Sequence, residues 1–183
     1  CKNGQLCLLL DPSGTPTAPL AAAIRNAPNG AIVEVSAART DAMKALAQNL
    51  ASQGGATLVI DYGHGRSAAG DTLQAMQAHA FVDMLEAPGA ADLTAHVDFQ
   101  ALGEAARQAG AQTFGPVSQA SFLKQLGIAA RAAILQQNAT EAQAQAVGAA
   151  LHRLTDQDQM GQLFKVMAIT PAGNDAPPGF AEV

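Results

Sequence analysis

The chain has 183 residues, 49% of them hydrophobic, so it is long enough to bury the core of one domain and too apolar to be disordered. Its net charge of −5, its single Tyr and its lack of Trp argue against a nucleic-acid partner, which needs a basic surface or an aromatic platform. No apolar run approaches the roughly 18 to 20 residues of a membrane span. The charged fraction of 14% is low against about 25% in soluble domains, which predicts an apolar surface that something else covers.

The start of the chain combines two cysteines with an Asn-Gly pair. Cys1 and Cys7 make no disulfide framework and no CxxC motif follows, which indicates a reducing compartment. No signal peptide is visible. Asn3-Gly4 is typical of a hairpin turn, and the apolar residues 6–10 are predicted to form the strand after it. Because almost no chain precedes this turn, we expect the chain to be the C-terminal part of something longer; the alternative is an ordinary loop at the edge of an excised segment.

Short strands and helices are predicted to alternate up to residue 65. Asn29-Gly30 begins the second strand, and Ser36 or Thr40 caps the helix that follows it. A glycine pair at 54–55 ends this helix. The predicted elements are a strand at 6–10, a loop at 11–19, a helical turn at 20–26, strands at 31–35 and 56–60, and a helix from 40 to about 52.

The chain is organised around residues 54–65, where the apolar strand leads into Asp61, Tyr62 and His64. A short apolar strand flanked by glycines is typical of a strand buried on both faces of a parallel sheet. Ligands of open α/β sheets bind beyond the carboxyl ends of the strands, so these three residues are candidates for a site. An acid, a phenol and an imidazole within reach of one another suit general acid–base chemistry. The alternative is that Asp61 only caps the turn and Tyr62 only packs.

The second half of the chain is predicted to be mainly helical. Asp98 or the residues just before it cap a helix that stops at Gly110, and Gly115-Pro116 interrupts a weak strand. The break between two Ala- and Gln-rich helices is placed at 138–140. The predicted elements are an amphipathic segment at about 72–81, helices at 99–109, at 119–126 and within 128–154, a polar loop at 155–161, strands at 112–117 and 163–170, and an irregular tail.

A polar segment precedes the helix at 99–109. Its side chains alternate, so in one extended segment they would all point to the same side. His79 and Asp83 lie nearby in sequence, and the whole set contains metal-binding residue types without a recognised metal-binding spacing. A patch that faces a substrate is therefore favoured over a metal site; the alternative is a polar edge at which Asp98 caps the helix and His96 bonds locally. The residues of the segment are Asp92, Thr94, His96 and Asp98.

The chain lacks the motifs of several enzyme classes. No Gly-x-Ser-x-Gly nucleophile elbow occurs, and neither cysteine stands beside a His, which argues against a hydrolase. Gly63-His64-Gly65 matches neither Gly-x-Gly-x-x-Gly nor a P-loop. We therefore expect no nucleotide-phosphate site within these residues.

Residues 58–65, which read LVIDYGHG, are similar to the hallmark strand of the MidA-like family of class I S-adenosylmethionine-dependent methyltransferases. The segment 88–99, PGAADLTAHVDF, is the most specific part of this resemblance, which covers nearly the whole chain. The mitochondrial members of the family are arginine methyltransferases that act in complex I assembly. Further matches are Asp71-Thr72, His79, Gly115-Pro116, Gln119, Phe122-Leu123, Gly127-Ile128, Met160-Gly161, residues 163–166 and residues 177–180.

The resemblance implies an α/β fold that is the C-terminal half of a Rossmann-like methyltransferase sheet. Strand 56–60 would be the fifth strand of that sheet, with 112–117 as the sixth and 163–170 as an antiparallel seventh. The seventh strand would lie between the fifth and the sixth. An N-terminal hairpin strand and a helical insertion at about 120–158 complete the expected fold. The glycine-rich cofactor loop and the acidic residue of the second strand would lie upstream of Cys1, so most of the S-adenosyl-L-methionine site is expected outside this chain.

The resemblance also implies methyl transfer to a protein nitrogen, an arginine guanidinium by preference. Carboxylates can hold a guanidinium by paired hydrogen bonds, and Asp61 and Asp92 are the candidates for that role. Tyr62 and His64 are grouped with them as catalytic residues. The candidates for substrate binding are His79, Thr94, His96 and Asp98.

The expected partner is a protein substrate, and the apolar face is expected to be covered by the missing half, by another chain or by a second copy. The location would be the cytoplasm in a bacterium or the mitochondrial matrix in a eukaryote. Two alternatives remain: a non-catalytic, partner-binding or inactive fragment, and a metal-dependent hydrolase built on the His and Asp cluster.

Overall fold

The computed structural model describes residues 6–9, 13–14 and 22–181. They form two compact units: the described parts of Cys1–Val35 with Ser67–His96, and Ser36–Arg66 with the described part of Val97–Val183. The helices are α1 (Ala22–Arg25), α2 (Ala37–Gln53), α3 (Phe99–Gln108), α4 (Gln119–Gln125), α5 (Ile128–Gln137), α6 (Glu141–Thr155) and α7 (Met160–Leu163). The strands are β1 (Thr57–His64), β2 (Gln74–Gln77), β3 (Ala80–Val82), β4 (Asp92–Thr94), β5 (Val97–Asp98), β6 (Ala111–Ser118) and β7 (Phe164–Pro171).

The second unit is built on a four-stranded sheet in the order β5-β1-β7-β6. β7 runs antiparallel to both of its neighbours, and β5 runs parallel to β1. This confirms the expected order of the last three strands and the antiparallel direction of the final one. β6 carries an irregularity between Phe114 and Val117, where the Gly115-Pro116 bond is cis.

Helices α2 and α3 cover one face of this sheet. Ser36 caps α2 by accepting a hydrogen bond from the Arg39 amide at 3.3 Å, and Asp98 caps α3 in the same way. Apolar residues at helical spacing then face the sheet and bury a common core. That core contains Met43, Ala47 and Leu50 of α2, Phe99, Leu102, Ala105 and Ala106 of α3, Ala111 of β6, and Met167 and Ile169 of β7.

A smaller core lies on the other face of β7. Val166 and Ala168 pack there with Phe122 of α4 and with Phe180, which follows the last strand. The two aromatic rings lie 5.3 Å apart. Because alternate residues of β7 serve the two cores, this strand is buried on both faces. The predicted irregular tail therefore contributes a buried aromatic residue.

The first unit contains a three-stranded antiparallel sheet in the order β3-β2-β4. A two-residue turn joins β2 to β3, and both of its residues, Ala78 and His79, have positive φ angles of 48° and 65°. Positive φ at both central positions is the geometry of a type I′ hairpin turn. Within residues 6–9, 13–14 and 22–181, no helix has the length and apolarity needed to cross a bilayer.

Most predicted helices are confirmed, including the break between α5 and α6. Two predicted strands are wrong, because residues 6–9 and 31–35 have no regular structure; the rest of the proposed N-terminal hairpin lies outside the described residues. The amphipathic segment at 72–81 is a strand and part of a hairpin.

The predicted environment of the central strand is also wrong in two respects. β1 continues to His64, so the strand does not end at Ile60 as the sequence predicted. Its Leu58 and Ile60 are each 47% exposed, so the described residues do not bury the strand on both faces.

Candidate functional site

The carboxyl ends of the parallel strands β1 and β5 lie side by side. Gly63 is opposite Val97, and His64 is opposite Asp98. A Cβ atom on Gly63 would lie 2.1 Å from the Val97 carbonyl oxygen. Such a separation is far inside van der Waals contact, so the approach of the two strands requires glycine at this position. The pairing places His64 and Asp98 on the same face of the sheet.

His64 and Asp98 form a histidine–carboxylate pair at this edge. The Nε2 atom of His64 lies 3.8 Å from Oδ2 of Asp98. Oδ1 of the same carboxylate accepts a hydrogen bond from the Ala101 amide at 3.0 Å. The side chains are 30% and 17% exposed, so the imidazole can be reached from solvent while its carboxylate partner is held at the start of α3. An imidazole beside a carboxylate at the end of a strand is a candidate proton acceptor.

Asp61 and Tyr62 point to opposite faces of the sheet. Tyr62 is opposite Phe164 in the β1–β7 pairing, and their rings meet edge to face with centroids 5.6 Å apart. Asp61 is opposite Lys165 on the other face, and its Oδ1 accepts a hydrogen bond from the Tyr62 amide at 2.8 Å. The prediction that Asp61, Tyr62 and His64 lie within reach of one another is therefore wrong. Because β1 remains a strand, its period of two separates the acid from the phenol and the imidazole.

Lys165 is the residue directly opposite Asp61 in the β1–β7 pairing. Residues directly opposite in an antiparallel pair have Cβ atoms about 5 Å apart. Burial lowers the pKa of Lys165, and its ammonium group donates to the Gln162 carbonyl oxygen.

The polar segment before α3 is not one extended strand. Asp92 and Thr94 belong to β4 of the first unit, whereas Asp98 belongs to β5 of the second, with His96 between the two strands. The prediction that all four side chains share one side is therefore wrong, because the segment changes sheets. The prediction is correct for Asp92 and Thr94, whose side chains share one face of the three-stranded sheet.

His96 belongs to a hydrogen-bond cluster around Glu34 that the sequence did not predict. The Glu34 carboxylate accepts hydrogen bonds from the Thr72 and Leu73 amides, each at 2.8 Å, and from the Thr72 hydroxyl. That hydroxyl oxygen accepts in turn from the His96 amide at 3.0 Å. Glu34 lies within residues 31–35, which the sequence predicted to be a strand. An acid within an apolar run is the one local signal that could have singled it out.

The hydrogen bonds change the titration of this carboxyl group. Burial raises the pKa of Glu34, but the bonds from Thr72 and Leu73, with the nearby His96, outweigh that effect and lower the pKa below its ordinary value. The cluster therefore favours the carboxylate form.

His79 lies at the exposed tip of the β2–β3 turn. It is not joined to the Glu34 cluster by any described hydrogen bond. Among the described residues, no group of three or more His, Cys, Asp and Glu side chains is placed to hold a metal ion.

Comparisons with known proteins agree with this fold. A family profile described as S-adenosyl-L-methionine-dependent methyltransferase matches residues 1–117. The mitochondrial protein arginine methyltransferase NDUFAF7 of Xenopus laevis is 40% identical over 141 residues, which are 76% of this chain and 32% of the relative. Its Homo sapiens counterpart is 36% identical over 170 residues, which are 92% of this chain and 37% of the relative. The chain thus spans about a third of the length of these relatives.

Two solved structures from Burkholderia thailandensis share the architecture. One, of an uncharacterized protein, superposes with a TM-score of 0.72 at 33% identity and covers 80% of this chain and 40% of that chain. The other holds S-adenosyl-homocysteine and superposes with a TM-score of 0.63 at 33% identity, covering 77% of this chain and 38% of that chain. The family match, the relatives and the fold confirm the resemblance seen in the sequence. The chain belongs to the family of S-adenosyl-L-methionine-dependent methyltransferases.

Proposed function

We propose that the protein transfers a methyl group from S-adenosyl-L-methionine to an arginine guanidinium of a protein substrate. The observation that carries this proposal is the identity of 36–40% to relatives named protein arginine methyltransferases. The histidine–carboxylate pair at the carboxyl ends of β1 and β5 supports it, since ligands of α/β sheets bind beyond such ends.

The described residues fit the cofactor in part. When bound, S-adenosyl-L-methionine supplies a methyl group carried on a positively charged sulfur. An aromatic ring and a carboxylate suit such a cation, and Tyr62 and Asp98 lie on the same face near the end of β1. The sequence contains no Gly-x-Gly-x-x-Gly loop. We therefore propose that the glycine-rich loop and most other cofactor contacts belong to a part of the protein outside these residues.

We assign to His64 the task of accepting a proton. A guanidinium nitrogen that gains a methyl group must lose a proton, and the solvent-accessible imidazole of His64 is backed by the Asp98 carboxylate at 3.8 Å. Transfer also requires in-line placement of the nitrogen. Asp61 and Asp92 are proposed to orient the guanidinium. Thr94, His96 and His79 remain proposed substrate contacts.

The experiment measures transfer of an isotopically labelled methyl group to arginine by the whole protein and its variants. We expect His64→Ala to reduce the rate by about 100-fold, the lower end of what a general base contributes. The matched control is His152→Ala, because His152 and Asp156 form a similar but more exposed pair at 3.4 Å at the C-terminal end of α6. A normal rate in His64→Ala would remove His64 from the mechanism, and a normal rate in Asp61→Asn would remove Asp61. Absence of arginine methylation by the intact protein would refute the proposed function.

We infer two further properties from the family. The first is a role in the assembly of respiratory complex I, in the mitochondrial matrix of a eukaryote or the cytoplasm of a bacterium. The second is that another part of the protein, another chain or a second copy covers the exposed Leu58 and Ile60 of β1.

A further inference from the structure

One face of the three-stranded sheet presents an aromatic ring, a thioether and a carboxylate in a row. Met76 of β2 is opposite Phe81 on one side and Asp92 on the other. Gln74 and Thr94 form the adjacent row of the same face. Neighbouring strands lie about 4.8 Å apart, so the Phe81 ring and the Asp92 carboxylate are separated by roughly two strand spacings. These five residues are called the Phe81 face below.

The Phe81 ring is 70% exposed, and it borders a groove of about 440 Å³. Leu73 and Met84 contribute apolar lining, and Asp83 contributes a carboxylate. One oxygen of Asp83 accepts a hydrogen bond from the Leu85 amide at 2.8 Å, which fixes the side chain at the groove. The groove and the Phe81 face together offer apolar contact beside two exposed carboxylates, Asp83 and Asp92.

The charge of this part of the chain restricts what can bind there. Residues 67–96 contain four acids, Asp71, Asp83, Glu86 and Asp92, and no Lys or Arg. A nucleic acid or an anionic lipid surface would meet repulsion. A second copy of the same acidic face would place like charges together. The complementary occupant carries positive charge on side chains that can also cover an aromatic ring.

We propose that the Phe81 face and its groove bind a basic, arginine-containing segment of the protein substrate. The proposal rests on the proposed function for the identity of that substrate. A planar guanidinium stacks on an aromatic ring and pairs with carboxylates, and its methylene stem covers apolar surface such as Met76. This surface docks substrate sequence and is distinct in role from the His64–Asp98 pair, which we assign to proton transfer.

The test measures binding of a fluorescein-labelled peptide of alternating Gly and Arg to the whole protein by anisotropy, without cofactor. A peptide of equal length with Gln in place of Arg is the ligand control. We expect the Arg peptide to bind at least about tenfold more tightly than the Gln peptide. Its binding should weaken as the salt concentration increases. Phe81→Ser and Asp83→Asn should each weaken binding by about three- to fivefold.

Matched controls are Leu126→Ser, an apolar residue 50% exposed on the second unit, and Asp41→Asn on α2. Both should leave peptide binding unchanged, and circular dichroism melts should show that all four variants fold. Amide NMR signals of residues 73–94 should shift on peptide addition in the unaltered protein.

Equal affinity for the Arg and Gln peptides would overturn the proposal, as would wild-type affinity in both Phe81→Ser and Asp83→Asn. Shifts at residues 73–94 on dilution alone would show that a second copy covers the face, and would overturn it too. Peptide binding without any arginine methylation would support the docking surface while refuting the proposed function. Arginine methylation together with unchanged peptide binding in Phe81→Ser and Asp83→Asn would support the proposed function and refute the docking surface.

Discussion

Glu34 shows how one side chain can join segments that are far apart in the chain. Its carboxylate receives hydrogen bonds from Thr72 and Leu73, 38 and 39 residues away, and the Thr72 hydroxyl extends the cluster to His96. Residues 31–35 have no strand partner, so these bonds supply the polar contacts that tie Glu34 to Ser67–His96 within the first unit. Hydrogen bonds to a charged acceptor are stronger than neutral ones.

This cluster predicts a stability that depends on pH. Because the pKa of Glu34 is lowered on folding, its contribution is present above the ordinary pKa of 4.5 and is lost as the pH falls through the lowered value. We expect Glu34→Gln to lower the free energy of unfolding by about 1 kcal/mol at neutral pH and to flatten its decline in acid. Urea unfolding between about pH 3 and pH 7 measures both effects. Glu86→Gln, an exposed Glu of the same unit, is the control, and an unchanged acid profile in Glu34→Gln would contradict the prediction.

Among the structural elements, β1 and β5 depend on one glycine. Gly63 pairs with Val97 so closely that a Cβ atom added to Gly63 would lie 2.1 Å from the Val97 carbonyl oxygen. A backbone atom cannot rotate away as a side-chain tip can. Any residue larger than glycine must therefore push the two strands apart, and His64 and Asp98 move with them.

We expect Gly63→Ala to lower the free energy of unfolding by about 2 kcal/mol or more, as overpacking against fixed atoms does. Methyl transfer should fall as well, because the His64–Asp98 pair is disturbed. Gly65→Ala is a close control, since its Cβ would meet only the Pro116 side chain at 3.4 Å. That control should change stability by less than about 0.5 kcal/mol. Urea denaturation of the two variants decides the matter, and wild-type stability in Gly63→Ala would show that the strands can separate without cost.

Elements whose signals are local were predicted well from the sequence. Helices α2, α3 and α6 each begin at a residue that caps through its own side chain, Ser36, Asp98 and Thr140, and each cap lies beside the residues it satisfies. The order of β1, β7 and β6 was expected from the family resemblance, not from local pattern, and it is confirmed.

Elements that depend on distant partners were not predicted. Residues 31–35 have the sequence pattern of a strand but join no sheet. The carboxylate of Glu34 instead accepts hydrogen bonds from the Thr72 and Leu73 amides. β1 extends to His64 because Val97 and Asp98, more than 30 residues later, pair with its end. In the candidate site, too, the residue types could be predicted from the sequence, whereas their pairing could not. His64 and Asp98 were each singled out by residue type, but only the long-range pairing shows that they belong together.

At the scale of the whole molecule, β1 presents an incomplete sheet edge. Only its last two residues pair with β5, and Leu58 and Ile60 are each 47% exposed on the face that carries Val166 and Ala168. An exposed apolar strand of this kind agrees with the low charged fraction of 14%, which predicts an apolar surface. The chain also spans about a third of the length of its relatives. We propose that further sequence of the protein packs over this part of β1.

If further sequence covers β1, the loss in free energy of unfolding caused by Ile60→Ser should depend on the length of the protein. In the 183-residue chain, Ile60→Ser should lower the free energy of unfolding by less than about 1 kcal/mol, because the side chain is already half in water. In a protein of the length of the relatives, the same change should cost about 3 kcal/mol, since it removes a buried side chain and leaves a polar one without partners. Ile134→Ser is the control, because Ile134 of α5 is 56% exposed and should cost equally little at both lengths. Urea unfolding of the two lengths gives the comparison. Equal costs for Ile60→Ser would mean that this face of β1 stays open in the complete protein, and that the apolar surface serves another chain or a second copy.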